Sequence, residues 1–523
     1  MGSGRHLKNL SASWVGYAAN FIILMYLSRL VVRSLGEELF GVWSLIVSVT
    51  GYMGLADIGL RNGLGRFINF YQGKGETRKV NEVISTSMTF FVFLGIPIFV
   101  ASWFIGENFC WLFQRSVPQS LADGCFYAML LTGANLWLGF LASPYSLAVI
   151  SQERFDLFNV TNLVVLGVRA AGTVIVMKNG GGIVQLAMVQ VISNLVAVTV
   201  FFVIGHRVYP PLYVRPSLAN MLRFKELFGF SFWAFLSAIA TKLLYFTDII
   251  VIGATMHSAV FVTLYSIPLT LIDHSRNFVG QVTEVLTPRT IKMSSRNDFA
   301  SLQLMLKWGS KLTMFFAIPF FTGLMFFGPK FMALFWGEKF WQSKWVLVLL
   351  VVPQYTAMAV RIGGSIISGL GHIKVGALIT LLQAGMNLIL TLIFILLCGM
   401  GIEGVALGTL VPMVIFNVII AILLHRWVHG SIRRFFTTNV LRWLLSLAGM
   451  LIFGYAAKSL AIDSAKYFGA FWDGWLRFGF GLLFYTVGAM LISWFLGFNT
   501  HEREILVTEL SSILPWKNKR KPQ

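Results

Sequence analysis

The residues best suited to chemistry here are ionisable side chains set within long apolar stretches: Arg29, Asp57, Arg61, Arg169, Lys242, Asp248, Asp273, Arg276 and Arg361. An ionisable group at membrane depth costs at least ~2.5–3.5 kcal/mol on insertion scales, so it normally faces a bundle interior or water. Arg169, Lys242 and Asp273 lie deepest in their stretches, Asp248, Arg276 and Arg361 part-way in, and Arg29 and Asp57 near an end. Asp57 and Arg61 stand four residues apart and Asp273 and Arg276 three, so each pair shares a helix face and can self-neutralise. Such pairs serve either as switchable gates or only to lower insertion cost. Beyond them, among charges with no opposite charge three or four residues away in the sequence, the bases Arg29, Arg169, Lys242 and Arg361 outnumber the acid, Asp248. A low-dielectric cavity with that balance attracts an anion and repels a cation, and the arginine fork suits phosphate oxygens. The chemistry to expect is anion binding, with Asp57, Asp248, Asp273 and Arg276 as gating or ion-coupling candidates. Arg29 has a second reading, since it can reach outward beside Arg33. Lys311 and Arg477 read as snorkelling anchors at the first turns of their spans.

The elements that must carry these groups follow from composition. Of 523 residues, 57% are hydrophobic and 12% charged, with a mean hydropathy of +0.75. Soluble domains carry roughly 25% charged residues. The apolar residues fall in blocks of about 20, enough to cross the hydrocarbon of a bilayer as helices. The expectation is an all-α polytopic membrane protein with about fourteen transmembrane helices. The first apolar block, near Leu10, is too long for a cleavable signal and should be both first span and insertion signal. Glycine is plentiful inside spans, where it favours close helix approach; Gly59 and Gly63 form one such step.

Net charge is +20, yet lysine and arginine cluster in short gaps between apolar blocks. That placement fits membrane orientation and anionic lipid better than nucleic acid. Lys74, Arg78, Lys79, Arg215, Arg223, Lys225 and the run Lys517 to Lys521 fall on one side, which places both termini in the cytoplasm.

A weak internal repeat is visible. Trp43-Ser44-Leu45 matches Tyr265-Ser266-Ile267, Arg66 matches Arg289, and Gly180 to Ile183 matches Gly399 to Ile402, all at nearly one offset. Parallel repeats of six spans imply two lobes related by a pseudo-two-fold along the membrane normal. The expected organisation is an N-lobe (1–205), an inter-lobe linker (206–226), a C-lobe (227–425), an appended pair of spans (426–498) and a basic tail (499–523). Pro210, Pro211 and Pro216 make the linker either a hinge or a plain connection.

Other chemistry has no support. No P-loop, HExxH, GxSxG or strand-associated GxGxxG motif occurs, so ATP hydrolysis and covalent catalysis lack candidates and the chain is not expected to be an enzyme. The three cysteines fit no metal spacing. Cys110 and Cys125 flank one outward loop, where a disulfide is open, and Cys398 reads as a buried small apolar residue. No cofactor is expected, with H+ or Na+ coupling left open.

The segment LVVRSLGEELFGVWSLIVSVTGYMGLADIGLRNGLGRF (30–67) resembles the start of the bacterial polysaccharide flippases of the multidrug/oligosaccharidyl-lipid/polysaccharide exporter superfamily. A span leads to an LG-x-x-x-FG turn (Leu35-Gly36, Phe40-Gly41), then to a second span ending in D-x-G-L (Asp57, Gly59, Leu60) before basic residues. SPYSLAVISQERFDLFNVTNLV (143–164) and ISGLGHIKVGALITLLQAGMNLIL (367–390) are similar to later spans of that family. The resemblance implies two lobes around a central cavity. It further implies flipping of undecaprenyl-pyrophosphate-linked oligosaccharide to the outer leaflet of the bacterial inner membrane by alternating access. Arg29 and Arg61 match the family's early charged cluster by position, which adds Arg61 to Arg29, Arg169, Lys242 and Arg361 as pyrophosphate-binding candidates. Asp273 and Arg276 occupy the corresponding region of the second lobe without aligning residue for residue. Implied partners are the lipid-linked glycan, membrane lipid, and a polysaccharide polymerase with chain-length machinery. A cation-coupled multidrug antiporter of the same superfamily is the alternative, although it favours exposed carboxylates. A polytopic polymerase, ligase or acyltransferase would need a larger outward loop.

Overall fold

The computed structural model describes residues 3–284, 286–459 and 465–505; side chains at 3–19, 56–59, 62, 229–234, 245, 288, 295, 458, 459, 465–474 and 477 are also outside the description. Asp57 and Arg477 therefore enter by their backbones only, and Lys517 to Lys521 lie outside it. Every described element is helical, as a chain in lipid requires when backbone groups must be satisfied internally.

The helices are α1 (Ser3–Met53), α2 (Leu55–Gly73), α3 (Thr77–Glu107), α4 (Phe109–Leu112), α5 (Ala122–Ser151), α6 (Phe155–Lys178), α7 (Ile183–Val208), α8 (Met221–Thr255) and α9 (Ala259–Glu284). They continue as α10 (Thr287–Ser295), α11 (Phe299–Phe335), α12 (Lys344–Ala359), α13 (Gly363–Gly369), α14 (Ile373–Leu392), α15 (Ile402–Trp427), α16 (Ile432–Phe435), α17 (Leu441–Ser459) and α18 (Ala465–Gly497). Among the described residues nine helices are long and apolar enough to cross a membrane, and up to eleven if two bent pairs each count as one span. The charge-bearing stretches α1, α2 and α9 are helical but not among the nine. The turn expected at Leu35-Gly36 is a kink in α1, with Gly36 at φ 78°, which a side chain would resist.

Contacts divide the chain into two compact units. One comprises residues 23–266 and 373–409. Its core runs through Leu64, Ile68, Ile84, Phe91 and Phe140, where α2, α3 and α5 pack. Polar side chains join its helices: Asn194 donates to the Asn135 side-chain oxygen at 2.7 Å, and the Trp137 indole to the Phe91 carbonyl at 3.0 Å. Ser44 and Ser266, equated by the sequence repeat, meet at 3.5 Å.

The 206–226 segment is strapped to the first turns of α3. Asn81 donates to the Pro211 carbonyl at 2.7 Å and accepts from the Tyr213 amide at 3.1 Å. Ser85 accepts from the Arg215 amide, and Thr86 from that of Asn220. Arg223 then enters a nearly closed cluster with Tyr71, Glu82 and Glu226. These bonds hold the backbone of the segment against α3.

The other unit comprises residues 1–22, 267–372 and 410–523. α11 is its axis, packed by α12, α17 and α18. Gly323 admits the Tyr485 ring, whose hydroxyl donates to the Pro319 carbonyl at 3.0 Å, and Gly454 admits Phe326. Lys311 departs from its expected role. It lies well inside α11, and its ammonium meets both oxygens of Glu502 at 2.6 and 2.7 Å, with Lys307 at 3.3 Å. Asn499 and Glu502 cap a helix that begins at residue 500, each accepting from the other's amide.

Candidate functional site

Two groupings of polar residues involve the charges singled out by sequence. The first centres on Asp248, in the apolar C-terminal half of α8 and only 1% exposed. Its Oδ2 accepts from the Tyr265 hydroxyl at 2.6 Å (α9) and from Thr409 at 2.7 Å (α15). Asn387, on α14, donates in turn to Thr409 Oγ1 at 2.8 Å. Gly408 brings α15 against α14 so closely that a Cβ there would lie 2.2 Å from Thr391 Oγ1. Three buried oxygens of the cluster, Asp248 Oδ1, Asn387 Oδ1 and Thr391 Oγ1, have no hydrogen-bond partner. Buried polar atoms are normally satisfied, so a carboxylate, an amide oxygen and a hydroxyl left open form an oxygen-rich set suited to a proton or a hard cation.

The second grouping lies along α9. Asp273 and Arg276 pair at 3.1 Å, as the spacing predicts. Asp273 Oδ1 lacks good hydrogen-bond geometry, so the contact is ionic rather than a directed bond. His274 meets Phe21 edge-on. Arg361 reaches the same helix from the break between α12 and α13, which are bent by 47°. It lies across Gly280, where a Cβ would stand 2.3 Å from Cζ, donates to Thr283 Oγ1 at 3.3 Å, and comes within 3.7 Å of Glu284. Gly363 lets the break approach α15, with Leu424 where its Cβ would be.

The remaining candidates lie on α1, α2, α6 and α8. Arg169, on α6, is half-buried, and its Nε is buried without a hydrogen-bond partner. Lys242, on α8, holds its ammonium 4.4 Å from the centre of the Phe246 ring. Among the described residues no carboxylate pairs with either. Arg29 is half-buried on α1, and Arg61 is exposed on α2.

Asn387, Thr391 and Thr409 were not singled out by sequence, and Tyr265 only as part of the internal repeat, because an isolated amide or hydroxyl in an apolar helix carries no charge signal. Glu502 was missed because it follows the last span and meets its partner only through the tertiary fold. Cys110 and Cys125 are buried free thiols rather than a disulfide, and Cys398 is exposed, just past the π-helical turn Ile393–Leu397 that follows α14, rather than buried.

This arrangement is that of a multi-pass helical membrane protein, and solved structures share its fold. The lipid II flippase MurJ, in an inward closed conformation, superposes with a TM-score of 0.65, covering 90% of this chain and 97% of that one at 17% identity. A multidrug resistance MATE family transporter of the MOP superfamily, inward-facing, gives 0.65 over 78% of this chain and 94% of that one at 15% identity. The polysaccharide biosynthesis protein family matches residues 30–344, more than half of the sequence, and the chain belongs to that family. A putative O-antigen transporter of Shigella flexneri is 24% identical over 431 residues, 81% of this chain and 97% of that protein.

Proposed function

We propose that this protein flips polyprenyl-pyrophosphate-linked oligosaccharide, on undecaprenyl pyrophosphate, from the cytoplasmic to the outer leaflet of the bacterial inner membrane. The observation that carries the reading is that Arg169 and Lys242 sit within apolar helices with no partnering carboxylate among the described residues. A desolvated cation kept at that cost has an anionic partner that comes and goes, and a pyrophosphate head group supplies one. Family membership and the putative O-antigen transporter support the glycan, and the fold shared with the lipid II flippase supports movement of a lipid-linked head group. Arg29, Arg61 and Arg361 are further contacts for the pyrophosphate, while the tail stays in lipid. Fourteen spans in two six-helix lobes, joined by 206–226, with both termini cytoplasmic, is the topology that accompanies this mechanism. The meeting of Ser44 and Ser266 supports a two-fold between the repeats.

Coupling belongs to Asp248. Its open oxygen, with those of Asn387 and Thr391, would take a proton or Na+, and neutralising the carboxylate changes what the hydroxyls of Tyr265 and Thr409 can donate to. Asp57–Arg61 and Asp273–Arg276 act as switchable pairs. The test is Arg169→Ala and Lys242→Ala in cells: lipid-linked intermediates should accumulate and surface polymer should fall at unchanged protein level. Normal export at full expression would remove both residues from the mechanism. A cation-coupled multidrug antiporter is the second reading, favoured by the buried carboxylate Asp248 and the fold shared with the MATE transporter. Resistance to cationic dyes on overexpression, with no effect on glycan, would select it.

A further inference from the structure

A separate feature lies in the unit built around α11. Between α11, α12, α15 and α17 runs a cavity of about 190 Å³, bounded by Ile318, Val418, Ala421, Phe435, Trp443 and Leu447. The polar groups in its wall are already engaged: Asn417 donates to Thr356 Oγ1 at 3.2 Å, and the Tyr355 hydroxyl bonds Thr322 at 2.8 Å. What remains is apolar. Val418 and Leu444 in its wall are each about half exposed, on helices long and apolar enough to cross the bilayer. A void of this kind forfeits packing on its whole lining unless something fills it, and what surrounds it there is the hydrocarbon of the bilayer.

One end of the cavity is strongly basic. The last turn of α15 carries Arg426, α16 carries Arg433 and Arg434, and all three are exposed. Ser431 caps α16, accepting from the Arg434 amide at 3.3 Å. A π-helical turn, Phe436–Val440, joins α16 to α17, and Phe435 and Val440 at its two ends line the cavity. Such insertions inside helices often mark functional positions. The turn is pinned by Asn439 donating to the Lys307 carbonyl, and by Thr437 and Thr438 donating to carbonyls of Arg433 and Arg434. The backbone of α16 is thus held while its guanidinium groups stay exposed. Among the described residues no ion pair joins a carboxylate to Arg433 or Arg434; Glu502 is held by Lys311 and Lys307, and Asp298 accepts from the Ser301 amide that it caps.

We infer that this is a binding site for an anionic phospholipid of the inner leaflet, one acyl chain in the cavity and the phosphate on Arg433 and Arg434, with Arg426 beside them. Basic pockets between helices at the cytoplasmic face suit such head groups. The leaflet rests on the orientation proposed above; the site itself does not depend on flipping and involves none of the residues assigned to substrate.

The test uses the full chain in nanodiscs of phosphatidylcholine with or without phosphatidylglycerol, reading retained lipid by native mass spectrometry through stepwise delipidation. The wild type should keep one phosphatidylglycerol in preference to phosphatidylcholine. Arg433→Ser and Arg434→Ser should each lower that preference about fivefold, as loss of one interfacial basic residue predicts. Ala421→Phe, which fills the cavity, should abolish retention of either lipid while elution volume stays that of the wild type. Should it misfold, Ala421→Leu with the same readout replaces it. Equal retention of the two lipids by the wild type, or phosphatidylglycerol held unchanged by a folded filling variant, overturns the assignment. So does displacement of the retained lipid by added undecaprenyl phosphate, which would give the cavity to the substrate's tail. Failure of flipping in cells would leave these outcomes unaffected.

Discussion

Replacing Glu502 with alanine strands an ammonium inside the protein. Lys311 and Glu502 side chains are 1% and 3% exposed, and the two bonds between them, 2.6 and 2.7 Å, are as short as charge-assisted hydrogen bonds become. Taking one partner from a buried pair costs about 3–5 kcal/mol, because the other keeps its desolvation penalty without its attraction. Lys307 adds a second cation that loses its counter-charge. Glu502→Ala should therefore destabilise the purified protein by about 3–5 kcal/mol, read as a lower unfolding temperature in detergent. A matched apolar pair, Lys311→Met with Glu502→Leu, should recover most of that loss, since such replacements are often neutral or stabilising. The pH dependence has a definite sign. Burial pushes the Glu502 carboxyl up, but the Lys311 hydrogen bonds, the Asn499 amide and the two lysine charges outweigh it and hold it below the ordinary value of 4.5. The pair's contribution is then fully present above the unfolded pKa and is lost as pH falls through the folded one. The gap between wild type and Glu502→Gln should be flat from about pH 5 to 8 and close in acid below about pH 4. A Glu502→Ala protein within about 0.5 kcal/mol of wild type, the range of an unremarkable surface change, would refute the reasoning.

Three further outcomes are expected. Asp248→Asn, which leaves acceptors for Tyr265 and Thr409, should express and fold normally yet lose dependence of polymer export on the ion gradient; retained dependence would move coupling elsewhere. Gly280→Val places a side chain where Arg361 now lies, so Arg361 must shift, at about 1–3 kcal/mol by the usual cost of overpacking. Export should fall more than it does in Gly364→Ala, a position with open space around its Cβ. Asn81→Ala removes two bonds to the 206–226 strap and should cost about 1–3 kcal/mol, with new protease cleavage near Tyr213; an unchanged digest would mean that Ser85 and Thr86 suffice.

How much of this was legible in the sequence depended on the kind of signal. Blocks of apolar residues and the glycine kink at Leu35-Gly36 announce helices and one of their turns, because periodicity and length are local properties. The Asp273–Arg276 pair was readable for the same reason, as three-residue spacing fixes its geometry within one helix. Asp248 could be found as a charge in an apolar stretch, but its partners on α9, α14 and α15 could not. Asn387 and Thr409 are ordinary residues in ordinary helices until packing gathers them around one carboxylate. Lys311 was misread for a related reason. A helix that extends well before the apolar block turns an apparent first-turn anchor into an interior residue, and its partner lies beyond the last span. The linker's prolines read equally as hinge or connector, and its contacts with the α3 side chains carried no signal in the sequence.

The most direct measurement is translocation by the purified protein in proteoliposomes that carry an undecaprenyl-pyrophosphate-linked oligosaccharide. The readout is the fraction of glycan on the trans side over time. The wild type should move the glycan well above protein-free vesicles, and Arg169→Ala and Lys242→Ala should fall back towards that background while remaining folded. Wild-type vesicles that do no better than empty ones, or folded variants that flip as fast as the wild type, would contradict the account.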